Sequence, residues 1–103
     1  MTRKDLKLYR GDTYDATLSI DNYTPSANDT ILFGIKESFD GELLVRKEID
    51  PTAMTLHLKS EDTQDLPKRC VYDAQLTFVD DKDEQYTKTF LYGNITVTKD
   101  VVV

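Results

Sequence analysis

The chain has one cysteine, one histidine, no tryptophan, and only four glycines and three prolines among 103 residues. A lone Cys70 excludes an internal disulfide, so the fold must hold by packing alone, which suits a reducing compartment. At this length roughly 65% of the unfolded surface is buried on folding, enough for a core without staples. Long apolar runs are also missing. Met1 to Leu6 are too charged for a signal peptide, and no stretch approaches the length of a membrane span. The product is therefore expected to be cytoplasmic when synthesised, with no membrane partner. The Asn-X-Thr triplets at Asn22, Asn28 and Asn94 then read as chance matches to the glycosylation pattern.

Positive charge is scarce. Thirteen Lys and Arg stand against nineteen Asp and Glu, a formal charge of −6. A chain this acidic repels phosphate backbone unless its bases are segregated, and they fall along the chain in nothing longer than pairs such as Arg3 and Lys4 near the start, so no nucleic-acid partner is expected.

Six tyrosines, four phenylalanines and many Val, Ile and Leu fall instead in short alternating runs, a strand-forming composition. The longest pattern covers Val71 to Val97. Tyr72, Ala74, Leu76 and Phe78 alternate with Asp73, Gln75 and Thr77, an acidic tip intervenes, and Tyr86, Phe90, Leu91, Ile95 and Val97 return. This predicts a long hairpin with one face made for burial. Upstream, Leu6 and Leu8 predict a short edge strand, and Tyr14, Ala16, Leu18 and Ile20 a second strand. Between them Gly11 is free to take a positive φ. Asp21 to Asp29 is loop chemistry. Thr30 to Glu37 is apolar on both faces, as a central strand should be. Asp40-Gly41 signals a tight hairpin turn into Leu43–Val45. Met54, Leu56 and Leu58 predict another strand. Ser60 then stands where an N-cap would, with Glu61 and Asp62 complementing a single helical turn that ends at Leu66 before Pro67.

About seven strands with turns roughly every ten residues predict an all-β, immunoglobulin-like antiparallel β-sandwich occupying 1–103 as a single domain. An eight-stranded barrel is the nearest competitor, disfavoured by unequal strands and few glycines for its corners.

No catalytic signature emerges. Cys70 and His57 are the only pair from which a nucleophile and base could be drawn, and no serine sits in an elbow motif, so catalytic residues are expected to be none and the protein not an enzyme. His57 reads as an outer-face residue and Cys70 as half-buried. Asp80, Asp81, Lys82, Asp83 and Glu84 offer oxygen ligands, but their spacing does not match a calcium loop, a lysine intrudes, and no glycine supplies the bend. Glu61, Asp62 and Asp65 are better explained by the helical turn. Metal and cofactor sites are expected to be none. Arg10-Gly11-Asp12 spells the adhesion tripeptide, yet it lies at a bend between strands, where a structural turn is the simpler reading. Tyr72, opening the hairpin, is placed to pin the corner to upstream backbone through its hydroxyl. Tyr9, Tyr14, Tyr23, Tyr86 and Tyr92 could equally line a binding face. The terminal Val101, Val102 and Val103 read as an edge strand or a contact surface.

Four strings, YRGDTYDATLSI, ILFGIKES, LKSEDTQDLP and CVYDAQLTFVDDKDEQYTKTFLYGNITVTKDVV, together span nearly the whole chain. In that order they resemble small phage and prophage proteins similar to the immunoglobulin-like N-terminal part of baseplate upper proteins and other tail or neck components. The chain departs from that pattern in carrying Arg69 and Cys70 where a glycine is usual, and in lacking the first tyrosine before Tyr72 and Asp73. The resemblance implies a non-enzymatic virion structural or adaptor module, reaching the virion on assembly. Its partners would be other virion or tail proteins, a homo-oligomer being compatible with it. The alternative is a carbohydrate-binding or host-surface adhesin domain using the tyrosines.

Overall fold

The computed structural model describes residues 2–98, and over these the alternating runs become strands. They are β1 (Thr2–Arg3), β2 (Leu6–Tyr9), β3 (Tyr14–Thr17), β4 (Thr30–Lys36), β5 (Leu43–Ile49), β6 (Thr55–Leu58), β7 (Arg69–Val79) and β8 (Gln85–Thr98), with one short helix, α1 (Ser60–Gln64), between β6 and β7. The expected terminal Val101 to Val103 contact lies outside the described residues.

The strands form two facing layers, a β-sandwich. The large sheet runs β1-β8-β7-β4-β5, with β2 also on β8, and the small sheet is β3-β6. The central β4, β7 and β8 against the facing β3 and β6 is the immunoglobulin order, with β5 added at the β4 edge. The expected sandwich is therefore present, and apolar-on-both-faces β4 does lie between two strands, β5 and β7.

The N-terminal edge departs from an all-antiparallel scheme. β1 and β2 run parallel to β8, with Thr2 opposite Leu91 and Leu6 opposite Ile95. The chain must leave this edge at the same end as β8 so that the bend at Gly11 can carry it across to β3, and that fixes the direction. The expected edge strand at Leu6 and Leu8 is present as β2, and an unexpected two-residue strand, β1, precedes it across Lys4 and Asp5.

Period-2 alternation puts Ile31, Phe33 and Ile35 of β4, Leu56 and Leu58 of β6, Tyr72, Ala74 and Leu76 of β7 and Ile95 and Val97 of β8 into one core. The Phe33 and Tyr72 rings meet at 5.5 Å. Full burial of each such large side chain stabilises the fold by about 1.5–3 kcal/mol.

Two irregularities adjust the register. In β8 the partner of Ala74 is Leu91 and that of Gln75 is Thr89, so Phe90 is the bulged residue. The bulge lets adjacent Phe90 and Leu91 both turn toward the interior, an arrangement a regular strand forbids. In β5, Leu44 is skipped between partners of Ile35 and Lys36. The β4–β5 hairpin is as expected, but its turn is longer than two residues. Gly41 donates to the Ser38 carbonyl at 3.0 Å, and Glu37 to that of Glu42 at 3.1 Å. Gly41 is needed there for closeness, since a Cβ would lie 2.7 Å from Ser38 Oγ.

The β7–β8 hairpin is the longest element. Eleven residues of β7 span about 36 Å, which accounts for much of the molecule's 53 × 28 × 20 Å shape.

Candidate functional site

The residues with chemical potential are dispersed. His57, on the outer face of β6, is exposed and pairs with Asp15 of β3. Cys70 lies in β7 of the other sheet and is buried, not half-buried, because inward position in a central strand seals it completely. Burial pushes its thiol up to about 11, the opposite of what a nucleophile needs. The two residues thus belong to different sheets, His57 paired with Asp15 and Cys70 packed in the core.

Among the described residues no group of three or more His, Cys, Asp or Glu is arranged to hold a metal. At the β7–β8 tip the Asp80 carboxylate is occupied by backbone, accepting from the amides of Lys82 and Glu84, each at 2.9 Å. The Glu84 amide first, with the Lys82 amide and the Tyr86 hydroxyl, holds it below its ordinary value against an opposing desolvation. Asp83 takes the left-handed conformation, φ 60°. It supplies the bend for which no glycine is present, as Asp does more readily than most residues.

Arg10-Gly11-Asp12 is bound into the end of the sandwich. The Arg10 guanidinium donates to the Leu66 carbonyl at 3.1 Å. Gly11, at φ 84°, donates its amide to Thr63 Oγ1 at 3.0 Å. That hydroxyl donates in turn to the Asp12 carbonyl at 2.8 Å, and the Ser60 hydroxyl donates to the Gly11 carbonyl. Thr63 is fully buried, and α1 presents its hydroxyl to this turn. Ser60 is consequently not the N-cap; Lys59 is, its amide donating to Asp62 Oδ2 at 2.8 Å. Burial pushes the Asp62 carboxyl up, but the Lys47 ammonium at 2.8 Å and the Lys59 amide outweigh it and leave it below its ordinary value. The tripeptide works as a clasp.

A second clasp closes the break between β1 and β2. The Lys4 amide donates to the Tyr92 carbonyl at 2.8 Å, the Tyr72 hydroxyl donates to the Lys4 carbonyl, and the Asn94 amide donates to Asp5 Oδ1 at 3.0 Å. That amide lowers the Asp5 carboxyl from its ordinary value. Gly93 makes the crossing sterically feasible, since a Cβ there would sit 2.1 Å from the Lys4 carbonyl oxygen. Tyr72 therefore pins the N-terminal crossing. The hydroxyl does bond upstream backbone as expected, but at the N-terminal crossing, the corner itself being held by Thr63 and Arg10. Asp5 and Gly93 escaped the sequence reading, although a lone glycine inside a strand pattern is a standing signal of close backbone approach.

The remaining tyrosines do not gather on one face. Tyr23 packs on Phe78 at 5.8 Å and Phe78 stacks on Tyr86 at 5.3 Å, stiffening the hairpin arm. Tyr9 is exposed at the opposite end of the sandwich, beside Thr98. Exposed apolar side chains gather at Phe39, Leu43 and Leu44 by the β4–β5 turn, while on the arm Tyr86 shares the face of its partner Phe78 and Val79 stands exposed on the opposite face. A 270 Å³ cavity lies between the sheets beside β3, lined by Leu6, Leu18, Phe33 and Leu91 among others.

An immunoglobulin-ordered sandwich whose polar groups serve its own clasps, and whose exposed features are a projecting arm and apolar turns, belongs to the class of β-sandwich modules. The family profile of the LtfC-like β-sandwich domains matches residues 1–98. The chain belongs to that family, and is a phage-type β-sandwich domain. Comparison with curated proteins finds no match.

Proposed function

We propose that the chain is a non-enzymatic structural or adaptor module of a phage or prophage virion, in the tail, baseplate or neck, acting by protein–protein contacts. The observation that carries this reading is the family match running from residue 1 to 98, nearly the whole chain. The layout of the surface agrees with it. The arm extends beyond the core and exposes Val79 on one face and Tyr86 on the other, apolar groups that neighbouring proteins would cover. Edges such as β3 and β5 offer unpaired backbone groups that a partner strand can use. The net charge of −6 supports protein partners over nucleic acid. On this reading the protein is made in the host cytoplasm and carried into the particle on assembly.

The test is to purify particles from the corresponding lysogen or infected culture and probe them with an antibody to this chain, alongside a pull-down with the arm variant Val79→Asp. The proposal expects the protein in tail or baseplate fractions, and loss of at least one virion partner with the variant. Its absence from assembled particles, with no tail protein captured, would contradict it.

A further inference from the structure

The outer face of the large sheet carries a charge pattern that fits a copy of itself. On this face the cross-strand row at Gly34 reads Tyr92, Asp73, Gly34, Arg46, from β8 through β7 and β4 to β5. Gly34 has no side chain of its own and the Leu43 side chain leans over it, its Cδ1 3.4 Å from where a Cβ would sit, while Asp73 and Arg46 stand one strand on either side, about 4.8 Å each. Among the described residues neither charge is in an ion pair; the bridges present are Arg3 with Asp5, Lys47 with Asp62, and His57 with Asp15. The rows above and below read Thr89, Gln75, Leu32, Glu48 and Asn94, Val71, Lys36, Leu43. Leu43 is 48% exposed.

We propose that this face pairs with the same face of a second copy about a two-fold axis running along β4. In that arrangement Gly34 meets Gly34 and Leu32 meets Leu32. The columns on either side exchange: Arg46 faces Asp73 of the second copy, twice, Leu43 faces Val71, and Glu48 faces Gln75. A two-fold interface must be self-complementary, residue i meeting j and j meeting i, and this grid is. An axis across the strands instead would stack Arg46 on Arg46 and Asp73 on Asp73. A partner surface of a single sign would satisfy one of these charges and repel the other, so the second copy is the occupant the pattern selects. The one unfavourable meeting is Lys36 with Lys36. It stands on the axis between the two Leu43–Val71 meetings, so it offsets part of what the two Arg46–Asp73 pairs contribute. The pairing is independent of membership in a virion.

Charge exchange tests it. Sedimentation velocity over a concentration series should show the wild-type chain as a reversible dimer. Arg46→Glu and Asp73→Arg should each weaken self-association at least tenfold, since like charges then face each other twice. Mixing the two variants should restore a dimer, because the glutamate introduced in one then faces the arginine introduced in the other, while the native Asp73 and Arg46 still meet. Circular dichroism confirms that each variant is folded. A wild-type monomer at every concentration, single variants that dimerise like the wild type, or folded variants that fail to pair on mixing would each overturn the proposal.

Discussion

The two ends of the β7–β8 hairpin are built on opposite plans. At the base, Arg10, Gly11, Asp12, Lys4 and Asp5 bond to Leu66, Thr63, Tyr92, Tyr72 and Asn94, partners 51 to 89 residues away in sequence. At the tip every bond is local: Asp80 serves Lys82 and Glu84, Tyr86 bonds Glu84, and Asp83 donates to Asp80. The base spends its polar groups on long-range closure, so changes there cost global stability. The tip satisfies itself and leaves Val79 and Tyr86 outside, so changes there should alter contacts and spare the fold.

The contrast is broken most severely at Gly93. A Gly93→Val side chain would collide with the Lys4 carbonyl, with the nearest approach at 2.1 Å already at Cβ. The expected loss is about 3 kcal/mol or more, read by chemical denaturation, as for the worst overpacked sites. Thr63→Val keeps the shape but strips the buried Gly11 amide and Asp12 carbonyl of their partner; about 1–3 kcal/mol should be lost. Tyr72→Phe orphans the Lys4 carbonyl at a cost of about 1 kcal/mol.

The same tyrosine gives the base a pH signature. Burial, with the nearby Tyr14 and Asp5, pushes its hydroxyl up from 10.0 to about 12. A raised folded value means the native state holds the proton more tightly, so the contribution is whole below pH 10 and lost as pH rises through about 12. Cys70 adds a loss of the same sign between 9.0 and about 11. Denaturation midpoints should therefore fall above about pH 9, and Tyr72→Phe should remove the upper part of that fall. The smallest effect is expected at the tip, where Val79→Thr should stay within about 0.5 kcal/mol of wild type.

How much of this was legible follows from how local each signal is. Alternation in Ile31 to Ile35, Leu56 to Leu58 and Tyr72 to Leu76 marks strands and their buried faces directly, because period 2 is a property of a single strand. The bulge at Phe90 was legible in principle: two adjacent apolar residues, Phe90 and Leu91, change the parity of the inward face. The direction of β1 and β2 was not, since parallel and antiparallel edges carry the same alternation. The clasps were least legible. Nothing near Thr63 tells that its hydroxyl meets Gly11, and Ser60 satisfied every local rule for an N-cap while its hydroxyl was drawn to the Gly11 carbonyl across the fold. The family match supports a phage-type β-sandwich, a coarser statement than the whole-chain resemblance made; the baseplate, tail or neck setting stands as the proposal to be tested.

Native-state hydrogen exchange bears most directly on the division between a fastened base and a self-contained tip. The amides of Lys4, Arg10, Gly11 and Val97, bonded to Tyr92, Thr98, Thr63 and Lys68, should exchange only through global unfolding, while those of Lys82, Asp83 and Glu84 exchange through local opening at far lower cost. Protection that is equal at the two ends, or greater at the tip, would contradict the account.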